Sequence, residues 1–209
     1  MEIDNIAIIV DGPTEKNCLE KCFSKRFNKK PAIRYSPGNG LTYTEEMYAK
    51  GVAPSLILLL SKNIYSVFLI PDLERRAKKG KTTIQKFSKD IKSYIIQEIL
   101  SLAKNSFSEV FLQEIIHVCP SDIMFENWII SDIENVKKSN LIKQTAKQEF
   151  FDGQNGSSVI SKNMVEGYFY KKTIHAQNMF KHVDITVGVE NSPSFSTFIT
   201  SLDNCLNIP

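Results

Sequence analysis

Residues 6–10, Ile-Ala-Ile-Ile-Val, constrain this chain more than any other stretch. A continuous apolar run dominated by β-branched residues suits a strand covered on both faces, as in a parallel sheet sandwiched between helices. Shorter strand-like segments stand at 32–35, 67–70 and 115–118. Helical patterns fill the intervals. Thr14 can cap a helix reaching about Phe27, with Cys18, Leu19, Cys22 and Phe23 at helical spacing. Residues 44–50 and 54–61 read as two helical pieces, Pro54 opening the second. A long amphipathic pattern covers 84–104, and a further one covers 123–133. This alternation predicts an α/β fold with a mostly parallel central sheet flanked by helices. The last third is less regular: 152–158 reads as a loop, and 171–181 and 194–206 as helices. The expected organisation is a core over 1–133 with a C-terminal helical extension over 134–209 packed on it.

Composition narrows the class. Among 209 residues, 26 basic and 23 acidic side chains leave a net charge of +3, too mild for indiscriminate coating of nucleic acid. The longest apolar run, 56–60, falls far short of the roughly 20 residues a membrane helix needs. The first residues lack the basic and small-residue pattern of a signal peptide. Four cysteines without a Cys-x-x-Cys pair point to reduced thiols. A cytoplasmic location with no membrane contact is the expectation.

In an open parallel sheet, chemistry gathers at the carboxyl ends of the strands. The first strand ends in Asp11-Gly-Pro-Thr-Glu15, the third in Asp72-Leu-Glu74, and the fourth leads to Glu126-Asn-Trp128. If the strands are neighbours, Asp11, Asp72, Glu74 and Glu126 converge. Clustered carboxylates repel one another unless a cation offsets them, and Mg²⁺ (or Mn²⁺) is the natural candidate for an all-oxygen donor set. Each acid also has a plainer reading, as a turn cap, a helix-start charge or a surface residue.

These residues resemble a known family. Residues 6–15 resemble the first motif of Toprim domains, closest to the Glu-Gly-x-Thr-Glu form of OLD-family nucleases and RloB-like bacterial proteins. Val67-Phe-Leu-Ile-Pro-Asp-Leu-Glu74 is similar to the second motif, normally Asp-x-Asp, and Phe125-Glu-Asn-Trp-Ile-Ile-Ser-Asp132 to a segment of the RloB-like group. The resemblance implies a Rossmann-like Toprim fold and metal-dependent hydrolysis of phosphodiester bonds in DNA or RNA. It also implies a role in anti-phage defence beside an ABC- or AAA-type ATPase, with a homo-oligomer possible. By position, Asp11 takes the place of the first-motif glutamate as metal ligand or general acid–base. Asp72 and Glu74 would hold Mg²⁺, Glu126 would complete the site, and Glu15 would stand close by as a catalytic group. Asp11 is one methylene shorter than the usual residue and Glu74 one longer. Those departures keep open a second reading, a non-catalytic Toprim-like subunit that binds nucleic acid or its ATPase partner.

Arg75, Arg76, Lys78, Lys79 and Lys81 follow directly on Asp72 and Glu74, as a solvated loop or a phosphate clamp. Lys171, Lys172 and His175 are further candidates for phosphate contact. The acid-free stretch 21–34 reads as an exposed basic face or a partner surface. Gly80-Lys-Thr82 is no Walker A loop, because Arg75 stands where its first glycine belongs. His117 is expected as a packed core histidine, Cys18 as a buried apolar residue, and Trp128 as a packing anchor.

Overall fold

The structure is a computed structural model that describes residues 2–27, 29–36, 44–73, 82–104, 106–149 and 153–207. Its centre is an all-parallel sheet of four strands: β1 (Ile6–Val10), β2 (Ala32–Tyr35), β3 (Ser66–Ile70) and β4 (Ile116–Val118), in the order β2-β1-β3-β4. The fold is α/β and Rossmann-like, with helices on both faces and further helices at the C-terminal end. Every residue of β1 and β3 is buried, as their unbroken apolar sequences require.

Alternate side chains of β1 enter different cores. Ala7 and Ile9 pack with one hydrophobic cluster, beside Tyr48, Val52 and Leu56 of α2 (Glu45–Leu60) and Phe87, Ile91, Ile95 and Ile99 of α3 (Ile84–Leu102). Ile6, Ile8 and Val10 pack with the other, beside Leu19 and Phe23 of α1 (Pro13–Phe27). That second cluster also takes in Trp128, Phe195, Phe198 and Leu202, so the region after residue 133 shares its core with one face of the sheet. Trp128 is fully buried, donates from Nε1 to Ser194 Oγ at 2.9 Å, and stacks on Phe195 and Phe198.

Several local expectations change. Residues 45–60 form one helix with Pro54 inside it, because the apolar face from Tyr48 to Leu59 packs continuously on α3. A helix over residues 109–115, α4 (Glu109–Ile115), precedes β4, its start capped by Ser108 Oγ. The single helix expected over 123–133 divides into α5 (Glu126–Ile130) and α6 (Ile133–Val136). Asp132 makes the break: its backbone leaves helical geometry and its carboxylate caps α6 through the Asn135 N–H. Part of the expected loop at 152–158 begins α7 (Gly156–Asn163), where Asn155 Oδ1 accepts from Ser158 N. A Cβ on Gly156 would come within 2.2 Å of Asn127 Oδ1, so only glycine lets α7 start against α5. The remaining helices are α8 (Lys172–Phe180), α9 (Ile185–Asn191) and α10 (Pro193–Leu206). No helix among the described residues is long and apolar enough to cross a membrane.

Candidate active site

Beyond β2 the chain crosses to the other side of β1, so the crevice between the carboxyl ends of β1 and β3 is the topological switch point of the sheet. Val10 pairs with Ile70 there, which sets Asp11 beside Pro71 and Asp72. Asp72 N donates to Asp11 Oδ2 at 2.9 Å. Asp72 Oδ1 accepts from Ser121 Oγ at 2.5 Å and from Phe125 N at 2.9 Å. An isolated parallel bridge between Asp72 and Ser121, three residues beyond the last β3–β4 pair, ties the loop after β4 to the loop after β3. In the same loop Ile123 has φ +52°, a rare and costly conformation for a β-branched residue.

Glu15 lies in the first turn of α1, one turn beyond Asp11, and Glu126 is the first residue of α5. A Cβ on Gly12 would fall 2.9 Å from Glu15 Oε2, so a glycine between strand and helix lets this carboxylate fold back over the turn. Asp11, Glu15 and Glu126 are each at most 5% exposed.

The centre of the cluster is held by Lys172, the first residue of α8. Its Nζ lies 2.5 Å from Glu15 Oε1, 3.2 Å from Glu126 Oε2 and 3.8 Å from Asp72 Oδ2, with about a third of the side chain (32%) still exposed. Burial by itself would lower the Lys172 pKa and is the largest single influence on it. The carboxylates of Asp72, Glu126 and Glu15 together outweigh burial and hold the ammonium well above its ordinary range. Glu126 is pushed upward by burial and by the charge of Asp72, against the opposing pull of Lys172. Tyr170 OH donates to Glu126 Oε1 at 3.2 Å.

Three carboxylates, of Glu15, Asp72 and Glu126, thus stand around one ammonium, and Asp11 joins them through the Asp72 N–H. Their oxygens are the donors a hard divalent cation takes. As placed, however, the described side chains do not fit such an ion. No group of three or more acidic, histidine or cysteine side chains among them is arranged to hold a metal, and Lys172 fills the space between Glu15, Asp72 and Glu126.

The sequence-derived set is therefore brought together in part. Asp11, Glu15, Asp72 and Glu126 share one site. Glu74, Arg75, Arg76, Lys78, Lys79 and Lys81 lie outside the described residues. Lys172 turns inward onto the carboxylates, whereas Lys171 is exposed and its N–H donates to His175 Nδ1 at 3.0 Å. Asp132 is buried as a helix cap, bonded to Asn135 and to Asp184 N, away from this chemistry. His117 is half-buried, stacked on Phe68 with ring centroids 4.6 Å apart. Cys18 is buried as expected, and that burial drives its thiol far up.

The basic stretch 21–34 is partly neutralised by acids from elsewhere. Arg26 forms a two-pronged contact with Asp203, both distances 2.9 Å, and Lys29 pairs with Asp4 and Lys30 with Glu20. Tyr170 and Ser121 are the site residues that sequence reasoning missed. Tyr170 had a usable signal: in an extended segment, residues two apart share a side, so it accompanies Lys172.

Comparison with protein-family models, with curated proteins and with solved structures finds no match to this chain.

Proposed function

We propose that this chain is a Toprim-type phosphodiester hydrolase, a nuclease whose site is the carboxylate pocket around Lys172. The observation that carries the reading is the meeting of Glu15, Asp72 and Glu126 about one cation, with Asp11 bonded to the Asp72 N–H, at the switch point of a parallel sheet. A bond-breaking site on a phosphodiester needs a positive group for the phosphate oxygens and a group that holds a proton for the leaving oxygen. Lys172, whose side chain is about a third exposed (32%), supplies the first. Glu126, whose pKa burial raises against the pull of Lys172 and which accepts from the Tyr170 hydroxyl, is the group assigned to the second. Asp11 acts through Asp72, whose peptide N–H it accepts, and Glu15 fixes Lys172. The anti-phage role expected of such a nuclease, in defence beside an ATPase, rests on the motif resemblance alone.

The test is a substrate panel with the purified chain: single-stranded and duplex DNA, RNA, and small nucleotides, each in Mg²⁺, Mn²⁺ or EDTA. Scission of a nucleic-acid strand is expected, falling about 10²-fold or more in Glu126→Gln, the loss typical of a missing proton donor. Turnover confined to small nucleotides, or cleavage unchanged in Glu126→Gln, contradicts the proposal.

A second reading is favoured by one specific observation, the ammonium that fills the centre of the acids. Under it the chain is a non-catalytic subunit that binds nucleic acid or an ATPase. It predicts oligonucleotide binding without strand scission under any of the three conditions.

A further inference from the structure

The segment from Gly167 to His175 carries more than the pocket uses. Gly167, at φ +83°, closes a turn in which Tyr168 N donates to Val165 O at 3.1 Å. Before that turn, Val165 N donates to Leu141 O at 2.9 Å. After it, the chain is extended at Lys171 and is fastened to the site by Tyr170 on Glu126 and Lys172 on Glu15. Both ends of this short stretch are therefore anchored.

Side chains in an extended stretch alternate between two sides. Tyr170 and Lys172 are half-buried in the acidic site, while Phe169 and Lys171 are exposed. Phe169 is 83% exposed and Tyr168 52%, and the Tyr168 ring meets His175 edge-on with centroids 6.5 Å apart. Tyr168, Phe169 and Lys171 are thus exposed on the short segment that leads into the site, with His175 against the Tyr168 ring. Phe169 precedes Lys172 by three residues, which places the two Cα atoms within about 11 Å of each other.

We propose that Tyr168 and Phe169 form a stacking platform for unpaired bases, and that the substrate class of this site is single-stranded nucleic acid. The proposal rests on the reading of the pocket as a phosphodiester site. A duplex keeps its base faces stacked and hidden, so exposed rings have nothing to contact there. An unpaired strand offers a π-face at every base and a phosphate between successive bases. Two exposed rings followed by Lys171 and His175 offer both a flat apolar face and groups for negative charge. Anchoring both ends fixes the rings before the strand arrives, so little ordering is lost on binding.

The experiment is fluorescence-anisotropy binding of a labelled oligonucleotide, single-stranded or annealed to its complement, in EDTA so that binding is read without turnover. Wild-type protein is compared with Phe169→Ala, Tyr168→Ala and Phe169→Trp. The expected result is tighter binding of the single strand than of the duplex. Each alanine variant should weaken single-strand affinity about tenfold, and Phe169→Trp should retain it. Both positions are largely exposed, so the variants keep the fold, which a thermal melt verifies. Single-strand affinity unchanged in both alanine variants overturns the proposal, as does equal wild-type affinity for duplex and single strand. An effect of these variants on association with a protein, without one on oligonucleotide affinity, also overturns it. Binding lost in the alanine variants of a protein that cleaves nothing would sink the nuclease reading and leave the platform standing.

Discussion

At the scale of single residues, the decisive contact is that of Lys172 with three carboxylates. Removing one partner of a buried ionic cluster leaves the others uncompensated, at a typical cost of 3–5 kcal/mol. Lys172 is about a third exposed, so Lys172→Met is expected to lose less, about 2–3 kcal/mol, in chemical denaturation. The same variant opens the space between Glu15, Asp72 and Glu126. Its Mn²⁺ affinity, measured by titration calorimetry, should exceed that of wild type by about tenfold or more, roughly 1.4 kcal/mol. Equal affinity in the two proteins would mean that Lys172 does not stand in the way of a metal. Asp11, Asp72 and Glu126 were legible as candidates because strand ends in a parallel sheet concentrate chemistry. The inward turn of Lys172 was not, since a lysine beside another lysine reads as solvent-facing until the acids opposite it are placed.

At the scale of elements, α2 shows where local signals mislead. Pro54 reads as a helix start, yet it sits in the interior of a continuous helix, on its exposed side. Packing against α3 outweighs the hydrogen bond that proline removes. Pro54→Ala is expected to restore that bond and raise stability by about 1–2 kcal/mol. The intrinsic difference of about 3 kcal/mol is partly offset by the freer unfolded chain. A thermal melt reads this directly, and a lower Tm in the variant would refute it.

The strand β4 supplies the pH dependence. Burial, with the nearby charge of Lys92, lowers the His117 pKa from 6.5 to about 4. Between those values the unfolded chain binds more protons than the folded one, so stability is complete above about pH 6.5 and falls as pH drops toward 4. With the ring only half-buried, the loss should be about 1–2 kcal/mol. His117→Phe, which keeps a ring against Phe68, should flatten this part of the stability–pH curve measured by denaturant titration. An unchanged slope would locate the dependence elsewhere. The helices over 109–115 and 185–191 escaped sequence reading because each is only about two turns long, too short for a periodic pattern to stand out.

At the scale of the whole molecule, the sheet sorts the chain. One face takes α2 and α3, while the other takes α1 and the aromatic cluster of Phe23, Phe68, Trp128, Phe195 and Phe198. The parallel sheet was readable from strand-like segments alternating with helical patterns, whereas the packing of residues near 195 against Trp128 was not, because such contacts have no local signature. That packing matters for the site. It fixes α5, hence Glu126, and α8 then brings Lys172 against Glu126 and Glu15. The acids at the strand ends and the cation from the C-terminal helices form one site only in the assembled fold.

The most direct test of that account is single-turnover cleavage of an end-labelled single-stranded oligonucleotide, with wild type and Asp72→Ala compared at equal concentration. Strand scission by wild type, reduced at least about 10²-fold in a variant whose melt shows it folded, is the predicted result. Equal cleavage by the two proteins would contradict the claim that these carboxylates and Lys172 form a phosphodiester-cleaving site.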